Sequence, residues 1–433
     1  MFGRKETPHT VSAPFAGANR RRYTPRAGHP DLDACLAEAQ TLAADIRPLL
    51  LKDADLSFAD RCRDRWRKVR ALRRSAANYL VNRGRYKGGN HALRPLYVIW
   101  TMCNSCNFRC NYCDNHQGRH YYDMADPGRL DTGQGKRLLD VMITGTPAIY
   151  WCGGEPMLRS DLPELLDHAW RLGYFPNMIN TNGSLVHRRL QDPAWRKFLW
   201  QMDIVIVSLD ALDTALLSRL WGVDAGRQVL VNLLLLRELR RDVTFKLAVN
   251  TVITPETIME ARAVFDLACD LDVWFVPVPV NFKHRPEAAL LDSPAYREFA
   301  ELILARKREG CKIIGSETLL RRLLYAEPHH CLTALKPHVW SNGAICWPCR
   351  AAVNVAPVDI NLLDYQTFDE AYAAGRERIA PDHFHGKGAQ QCGGDCAWMQ
   401  NYTTSRYLEG LTHPVRSGFL QELREFAVNR RNG

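Results

Sequence analysis

Three cysteines stand close together in the chain: Cys106, Cys110 and Cys113, in the spacing Cys-x3-Cys-x2-Cys. They follow an apolar run at residues 96–101 that has the length and composition of a buried β-strand. A 4Fe-4S cluster normally takes one cysteine thiolate for each of its four irons. Three thiolates on one loop would hold three corners of such a cluster and leave the fourth iron free to bind an outside ligand.

The same cysteines also permit a structural zinc site. Zinc sites favour Cys-x2-Cys pairs with two further ligands nearby. Because Cys103 lies three residues before Cys106, the run contains two such pairs, 103/106 and 110/113. The loop alone therefore leaves two interpretations open, a cluster with an open iron and a zinc knuckle.

Six short apolar runs alternate with longer segments of helical periodicity, which predicts parallel strands joined by crossover helices. The runs are residues 96–101, 148–152, 175–180, 204–209, 245–251 and 274–280. The simplest fold for six such units is a partial α/β barrel. The periodicity equally permits an open doubly wound sheet. In either fold, ligands bind at the carboxyl ends of the strands.

Polar or glycine-rich residues follow several of these strands. The second strand is followed by Gly153-Gly154-Glu155-Pro156, where glycine lets a backbone approach a ligand closely and Glu155 is able to accept hydrogen bonds from an ammonium group. The next three strands end at Asn180-Thr181-Asn182-Gly183, Ser208-Leu209-Asp210 and Asn250-Thr251. Helix capping is the alternative role for these polar residues. The sixth strand, with Pro277-Val278-Pro279, indicates no ligand contact.

Together these motifs resemble the radical S-adenosylmethionine (radical SAM) enzymes, with Tyr112 as the aromatic residue before the last cysteine. The resemblance implies a partial (β/α)6 TIM-like barrel, a 4Fe-4S cluster on Cys106, Cys110 and Cys113, and SAM bound to the open iron. It implies reductive cleavage of SAM to a 5'-deoxyadenosyl radical that abstracts hydrogen from an unactivated carbon, with a flavodoxin or ferredoxin as electron donor. The residues that it assigns to SAM are Tyr112, Gly153, Gly154, Glu155, Asn182, Ser208, Asp210 and Asn250.

Five cysteines nearer the C-terminus form a second group, in a segment that resembles the SPASM and twitch domains, which carry auxiliary 4Fe-4S clusters. They are Cys331, Cys346, Cys349, Cys392 and Cys396. The seven-cysteine pattern of a full SPASM domain is not met, so we expect one auxiliary cluster, held by Cys331, Cys349, Cys392 and Cys396. Cys346 is then a substitute or a bystander. A structural zinc site is the alternative, because residues 346 and 349 have the spacing of a zinc knuckle.

The composition predicts a folded protein of two or three domains, since 433 residues with 46% hydrophobic content are able to bury a large core. Fourteen clustered cysteines favour metal binding in a reducing compartment. No signal peptide and no membrane span stand out, so we expect a cytoplasmic protein. The expected divisions are a basic arm and helical extension at 1–94, the barrel at 95–285, a helical linker at 286–330, the auxiliary-cluster domain at 331–408 and a C-terminal helix at 409–433.

The net charge of +10 is concentrated near the N-terminus, where residues 1–94 hold 20 Lys and Arg against 9 Asp and Glu. The densest part runs from Arg61 to Arg74. Apolar residues recur there at intervals of three or four, which predicts a basic amphipathic helix; they are Cys62, Trp66, Val69, Leu72, Ala76 and Leu80. Three interpretations remain: the apolar face docks on the barrel, the helix contacts an anionic inner-membrane surface, or it binds an acidic peptide or nucleic acid.

The predicted function is radical SAM chemistry on a peptide or protein, since relatives with auxiliary-cluster domains frequently modify peptides. A lipid or isoprenoid reached from the membrane surface is the main alternative substrate, because of the basic helix. Outside enzymology, the alternative is a zinc-stabilised nucleic-acid-binding protein. That last interpretation leaves Gly153-Gly154-Glu155-Pro156 without a purpose, and we do not expect nucleic acid as a partner.

Overall fold

Six parallel strands follow one another across the sheet in chain order. They are β1 Val98–Thr101, β2 Ile149–Cys152, β3 Asn177–Thr181, β4 Ile204–Ser208, β5 Lys246–Ile253 and β6 Trp274–Pro279. The computed structural model describes residues 22–90, 92–113, 128–282, 285–329, 332–347, 358–378 and 397–415, together with 417, 419 and 422. Each strand overlaps one of the six predicted apolar runs, and the predicted α/β fold with a partial barrel is confirmed.

Fourteen helices have described bounds. They are α1 Leu32–Ile46, α2 Phe58–Lys87, α3 Thr132–Gly145, α4 Leu162–Leu172, α5 Val186–Leu190, α6 Phe198–Gln201, α7 Thr214–Trp221, α8 Gly226–Leu239, α9 Ile258–Asp270, α10 Ala288–Leu291, α11 Pro294–Arg308, α12 Glu317–Leu324, α13 Phe368–Arg378 and α14 Met399–Thr412. Helices α3 to α9 lie between successive strands of the barrel, as crossover connections of a parallel sheet require. None of the helices in the described part of the chain is both long and apolar enough to cross a membrane.

The two faces of the sheet have different surroundings because successive side chains of a strand point to opposite sides. One face packs against the crossover helices and belongs to the main core, with Trp100, Trp151 and Val207 fully buried. The opposite face, here called the inner face, carries a smaller apolar cluster that includes Met178, Ile206 and Ala248. By the alternation of side chains, the polar residues Asn180, Ser208 and Asn250 lie on the inner face.

A second group of strands extends the sheet beyond β1. After the short hairpin of β7 Asn281–Phe282 and β8 Arg285–Pro286, the chain forms β9 His338–Val339, β10 Ala344–Trp347 and β11 Val358–Asn361. Strand β9 pairs with β1 in parallel, whereas β10 pairs antiparallel with both β9 and β11. The nine-stranded sheet therefore runs from β11 to β6 and stays open within the described residues. Part of the predicted auxiliary-cluster segment thus continues the barrel sheet.

The N-terminal extension is helical, as the sequence predicts, and α2 crosses the N-terminal edge of the barrel strands. Its side chains bind backbone carbonyls that immediately precede the strands. Arg74 donates to Thr144 at 2.7 Å, Asn78 to Gly145 at 2.9 Å and Asn82 to Arg94 at 3.0 Å. These three carbonyls come just before β2 or β1, so α2 lies at the opposite end of the strands from the cysteine loop.

The face of α2 that packs on the barrel is mostly polar, and this corrects one interpretation of the sequence. Arg67, Asn78 and Asn82 are buried, whereas Trp66 and Leu80 are mostly exposed. The idea that the apolar face docks on the barrel is therefore wrong. The physical reason is the surface that α2 covers, which presents backbone carbonyls and the Asp203 carboxylate, and only polar side chains satisfy such groups.

Candidate active site

The loop with the three cysteines lies at the C-terminal edge of the sheet and is held there by backbone hydrogen bonds to the end of α7. The amide of Arg109 donates to the carbonyl of Trp221 at 2.8 Å, and the amide of Asn111 donates to that of Leu220 at 2.9 Å. The ring of Phe108 packs on the Trp221 indole, with centroids 5.1 Å apart. The loop is thus bound to the end of α7 on both sides of Cys110.

Tyr112 and Asp210, both predicted to serve the cofactor, contact each other. The Tyr112 hydroxyl donates to the Asp210 carboxylate, and the Trp221 indole donates to the same carboxylate at 2.8 Å. The other Asp210 oxygen accepts from the Val252 amide at 2.7 Å. Burial raises the pKa of Asp210, which these three hydrogen bonds oppose. The carboxylate therefore joins the cysteine loop to β5 and α7.

Gly153 and Gly154 lie against the backbone of the cysteine loop. A Cβ atom at Gly154 would stand 2.1 Å from the carbonyl oxygen of Ser105, and one at Gly153 would stand 2.7 Å from that of Cys103. The Gly154 amide donates to Cys103 and the Glu155 amide to Ser105, both at 2.8 Å. Only glycine permits this approach. Both glycines join the loops after β1 and β2, a role that their sequence alone leaves open.

Glu155 is completely buried and accepts three hydrogen bonds from neighbouring chain segments. Its donors are the Met157 amide at 2.9 Å, the Thr181 hydroxyl at 2.7 Å and the Asn182 amide at 2.7 Å. Burial raises the pKa of Glu155, and the hydrogen bonds from Thr181, Asn182 and Met157 oppose this rise. Three acceptor sites of the carboxylate are thus used within the protein, which leaves about one for a ligand.

Asn182 contacts the cysteine loop through its side-chain amide. It donates to the side-chain oxygen of Asn107 at 2.8 Å and approaches the Cys106 sulfur at 3.9 Å, and its own side-chain oxygen accepts from the Ser184 hydroxyl at 2.7 Å. Asn107 in turn donates to Ser184 at 2.9 Å. Sequence reasoning missed Asn107, Ser184 and Trp221. Of these three residues, Asn107 alone had a signal in the sequence, since it lies between the first two cysteines of the loop.

Ser208, the last residue of β4, is paired with Asn250 in the second half of β5. Both are partly exposed, as is Asn180 on β3. The side-chain oxygen of Asn180 is buried without a hydrogen-bond partner among the described residues. These polar groups share the inner face with the last residues of β1 and β2, Thr101 and Cys152. The arrangement offers a ligand polar contacts beside the cysteine loop.

The three cysteines have the surroundings of cluster ligands. Cys106 is buried, Cys110 and Cys113 are partly exposed, and none of the three forms a disulfide bond. The Phe108 amide donates to the Cys106 sulfur at 3.3 Å, a contact that stabilises a thiolate. Burial raises the pKa of Cys106 to about 12 and that of Cys110 well above its usual value. A metal ion that binds such a thiol displaces its proton, so the cysteine binds as the thiolate.

A mononuclear zinc site has less support in this loop. No three Cys, His, Asp or Glu side chains of the described residues converge closely enough to hold a single metal ion. Cys103, the extra member of a zinc knuckle, is buried and donates its thiol hydrogen to the Glu155 carbonyl at 3.4 Å. A cubane cluster binds its ligands at separate corners and does not need them to converge on one point. The residues present therefore fit a 4Fe-4S cluster.

The fold and this loop define an α/β barrel protein with a three-cysteine cluster site at the carboxyl ends of its strands. Residues 100–268 match the family model of the radical SAM superfamily. The chain thus contains a radical SAM domain, and the cofactors of that superfamily are a 4Fe-4S cluster and SAM. The predicted resemblance to the radical SAM superfamily is confirmed for this part of the chain.

Several characterised proteins are similar to the chain. Fe-coproporphyrin III synthase of Methanosarcina barkeri is 38% identical over 94 residues, which cover 22% of each protein. PqqA peptide cyclase of Bradyrhizobium diazoefficiens is 26% identical over 276 residues, which cover 61% of this chain and 69% of the cyclase. The chain spans about a fifth of the first of these relatives.

A solved structure is similar in fold. Native anSMEcpe with bound AdoMet superposes with a TM-score of 0.50 at 17% identity, over 77% of this chain and 99% of that one. At this identity the likeness concerns the fold alone.

The second group of cysteines lies mostly outside the described residues. This applies to Cys331, Cys349, Cys392 and Cys396, the four predicted ligands of the auxiliary cluster. Cys346 is a residue of β10, where its backbone pairs with His338 and Asp359, but its side chain is not described. The auxiliary cluster therefore stays a prediction from the sequence.

Proposed function

We propose that this protein is a radical SAM enzyme that removes a hydrogen atom from an unactivated carbon of a peptide or protein. The observation that carries the proposal is the three-cysteine loop at the C-terminal edge of a radical SAM domain, tied by buried carboxylates to the neighbouring strands. Cys106, Cys110 and Cys113 would hold three irons of the 4Fe-4S cluster. When bound, the cluster and SAM supply the electron and the 5'-deoxyadenosyl radical.

The residues of the chain itself would bind SAM and orient the cysteine loop. Asp210 holds the loop through Tyr112, and Glu155 holds the segment that carries Asn182 beside Cys106. Asn180, Ser208 and Asn250 offer polar groups on the inner face, where they would contact the ribose and carboxylate of SAM. The apolar inner cluster below them would limit the access of water to bound SAM. This division leaves the difficult bond cleavage to the cofactors and the positioning to the protein.

The peptide substrate is supported by a relative named as a peptide cyclase, whose similarity extends over 61% of this chain. An auxiliary 4Fe-4S cluster on the second group of cysteines fits this proposal, since it would accept an electron from the substrate radical or bind the substrate. We propose a flavodoxin or ferredoxin as the physiological reductant of the cluster on Cys106, Cys110 and Cys113.

The lipid alternative draws no support from the position of the basic helix. Helix α2 contacts residues 144–145 and 94, which precede β2 and β1, whereas the cysteine loop follows the opposite end of β1. A bilayer bound to α2 would therefore lie on the far side of the barrel from the cluster. The zinc-stabilised nucleic-acid-binding alternative is weakened by Cys103, whose thiol binds the Glu155 carbonyl within the fold.

A substrate-class assay tests the proposal. The enzyme, reconstituted anaerobically with iron and sulfide, is given SAM, dithionite and one of three fractions from its source cells: proteins and peptides, the same fraction after exhaustive proteolysis to amino acids, or extracted lipids. We expect faster formation of 5'-deoxyadenosine with the intact protein and peptide fraction alone. Faster formation with lipids alone would contradict the peptide proposal and support the lipid one.

A further inference from the structure

Helix α2 exposes large apolar side chains on the side that faces away from the barrel. Phe58 is 82% exposed, Trp66 62% and Leu80 65%, and Leu72 is about half exposed. Of the seven large apolar side chains that are exposed in the described part of the chain, four belong to this one helix. Soluble surfaces rarely concentrate apolar groups in this way without a binding partner.

These side chains form a continuous stripe. Positions 58, 62, 66, 69, 72, 76 and 80 follow one another at steps of three or four residues, so they lie on one face of the helix. At 1.5 Å per residue, the stripe is about 33 Å long. The contacts of α2 with the barrel are made by its opposite face, through Arg67, Asn78 and Asn82.

Arginines surround the stripe. Arg61, Arg65, Arg70 and Arg73 are exposed, and the helix contains only two acidic residues, Asp60 and Asp64, both in its first two turns. Asp64 is turned toward the barrel, where it pairs with the buried Arg67 at 2.8 Å. From residue 65 to its end, the helix therefore presents apolar groups and positive charge without a compensating negative charge.

We propose that this face of α2 binds the surface of an anionic lipid bilayer. Phe58, Trp66, Leu72 and Leu80 enter the boundary between headgroups and acyl chains, and the arginines contact lipid phosphates. A basic helix with aromatic and leucine side chains on one face is the form of helix that lies in a membrane interface. A single helix on the surface of the fold also matches a planar, deformable surface better than a rigid protein, which would need a groove for it.

The position of α2 fixes the orientation of the bound protein. Because α2 crosses the N-terminal edge of the strands, the cysteine loop at the opposite edge faces away from the bilayer. The membrane is then a place of attachment, and the substrate reaches the candidate active site from the aqueous side. This inference is independent of the proposed substrate, since vesicle binding is measured without turnover.

Vesicle flotation of the full-length, cluster-loaded protein tests the proposal. The vesicles contain phosphatidylcholine alone or phosphatidylcholine with phosphatidylglycerol. We expect the protein to float with the anionic vesicles only, and less of it as the salt concentration rises. Replacement of the three most exposed apolar residues by Ser (Phe58→Ser, Trp66→Ser and Leu80→Ser together), or of Arg65 and Arg73 by Glu, should weaken binding by about tenfold or more.

Matched controls separate the stripe from general effects of apolarity and charge. Val415→Ser removes another apolar side chain that is 80% exposed, and Arg188→Glu with Arg219→Glu reverses two exposed charges elsewhere. Both controls should float like the unaltered protein. As a second readout, brominated phosphatidylglycerol should quench the fluorescence of the unaltered protein more than that of Trp66→Phe.

Three results would overturn the proposal: no flotation with anionic vesicles, equal flotation with neutral ones, or full binding by the Ser triple variant. A dimer in sedimentation that the triple variant converts to a monomer, without vesicle binding by either, would assign the stripe to a second copy of the chain. Saturable binding of an acidic peptide without vesicle binding would assign it to a protein partner.

Discussion

The two ends of the parallel strands use buried polar groups for different purposes. At the C-terminal edge, the buried carboxylates of Glu155 and Asp210 join loops to one another and leave other polar groups accessible beside the cysteines. At the N-terminal edge, the polar side chains of α2 bind the carbonyls that precede the strands and cover them. The first edge offers polar groups to a ligand, whereas at the second edge α2 covers the ends of the strands and exposes its apolar side chains.

The largest effect of a substitution is expected at the C-terminal edge, where the cysteines would hold the cluster. Replacement of Cys106 by Ala should abolish formation of 5'-deoxyadenosine and lower the iron content by about four irons per chain, since one 4Fe-4S cluster is lost. Iron and sulfide assays and chromatography of the nucleoside products measure both effects.

Cys103→Ala is the matched control for this loss, because Cys103 lies in the same run but donates its thiol hydrogen to a backbone carbonyl. It should keep the iron and the activity. Equal loss of iron from Cys103→Ala would make Cys103 a metal ligand and would revive the zinc-knuckle interpretation.

At the N-terminal edge, the largest effect should come from Arg67. It pairs with Asp203 at 3.2 Å and with Asp64 at 2.8 Å, and both Arg67 and Asp203 are buried. Arg67→Ala leaves the Asp203 carboxylate buried without its guanidinium, which should lower the free energy of unfolding by about 3–5 kcal/mol.

Urea denaturation measures this free energy, with Arg65→Ala as the control. Arg65 is exposed on the same helix, so its replacement should change stability by less than about 0.5 kcal/mol. Equal effects of the two replacements would mean that α2 does not close the edge of the barrel as described.

A smaller effect on stability is expected at the C-terminal edge, where the loop after β2 packs against the cysteine loop after β1. Gly154→Ala puts a Cβ atom into the backbone of residues 104 and 105, so the loops must separate. We expect a loss of about 1–3 kcal/mol in the free energy of unfolding and weaker retention of the cluster during gel filtration.

Gly84→Ala is the control for Gly154→Ala, because a Cβ atom at residue 84 meets no other atom within 4 Å. In the interior of a helix it should be neutral or stabilise the protein by up to about 1 kcal/mol. If Gly154→Ala were equally well tolerated, the close packing of the two loops would be contradicted.

The mildest change concerns Tyr112, whose hydroxyl donates to Asp210. Tyr112→Phe keeps the ring and removes this hydrogen bond, which orients the loop between its last two cysteines. We expect SAM cleavage to fall by about tenfold with the cluster still bound, an effect typical of residues that orient metal ligands.

Tyr296→Phe, which removes a buried hydrogen bond to Leu324 far from the loop, is the comparison and should leave SAM cleavage unchanged. A tenfold loss in both variants would attribute the effect to general stability instead of loop orientation.

The sequence predicts the strands and the cysteine loop well because both signals are local. Apolar runs of strand length, such as residues 204–209, do not depend on distant partners. Asn107, Ser184 and Trp221 could not be predicted, since their roles arise from contacts between separate loops. The periodicity of the sequence reveals that α2 has an apolar face, but not whether that face is turned toward the barrel or away from it. That direction depends on the carbonyls and on Asp203 at the surface it covers.

The most direct test of the account is the amount of 5'-deoxyadenosine that the anaerobically reconstituted protein forms from SAM and dithionite. We predict that this nucleoside appears together with methionine, and that Cys106→Ala forms none. Absence of 5'-deoxyadenosine from protein whose iron and sulfide contents show an intact, reduced cluster would contradict the central claim.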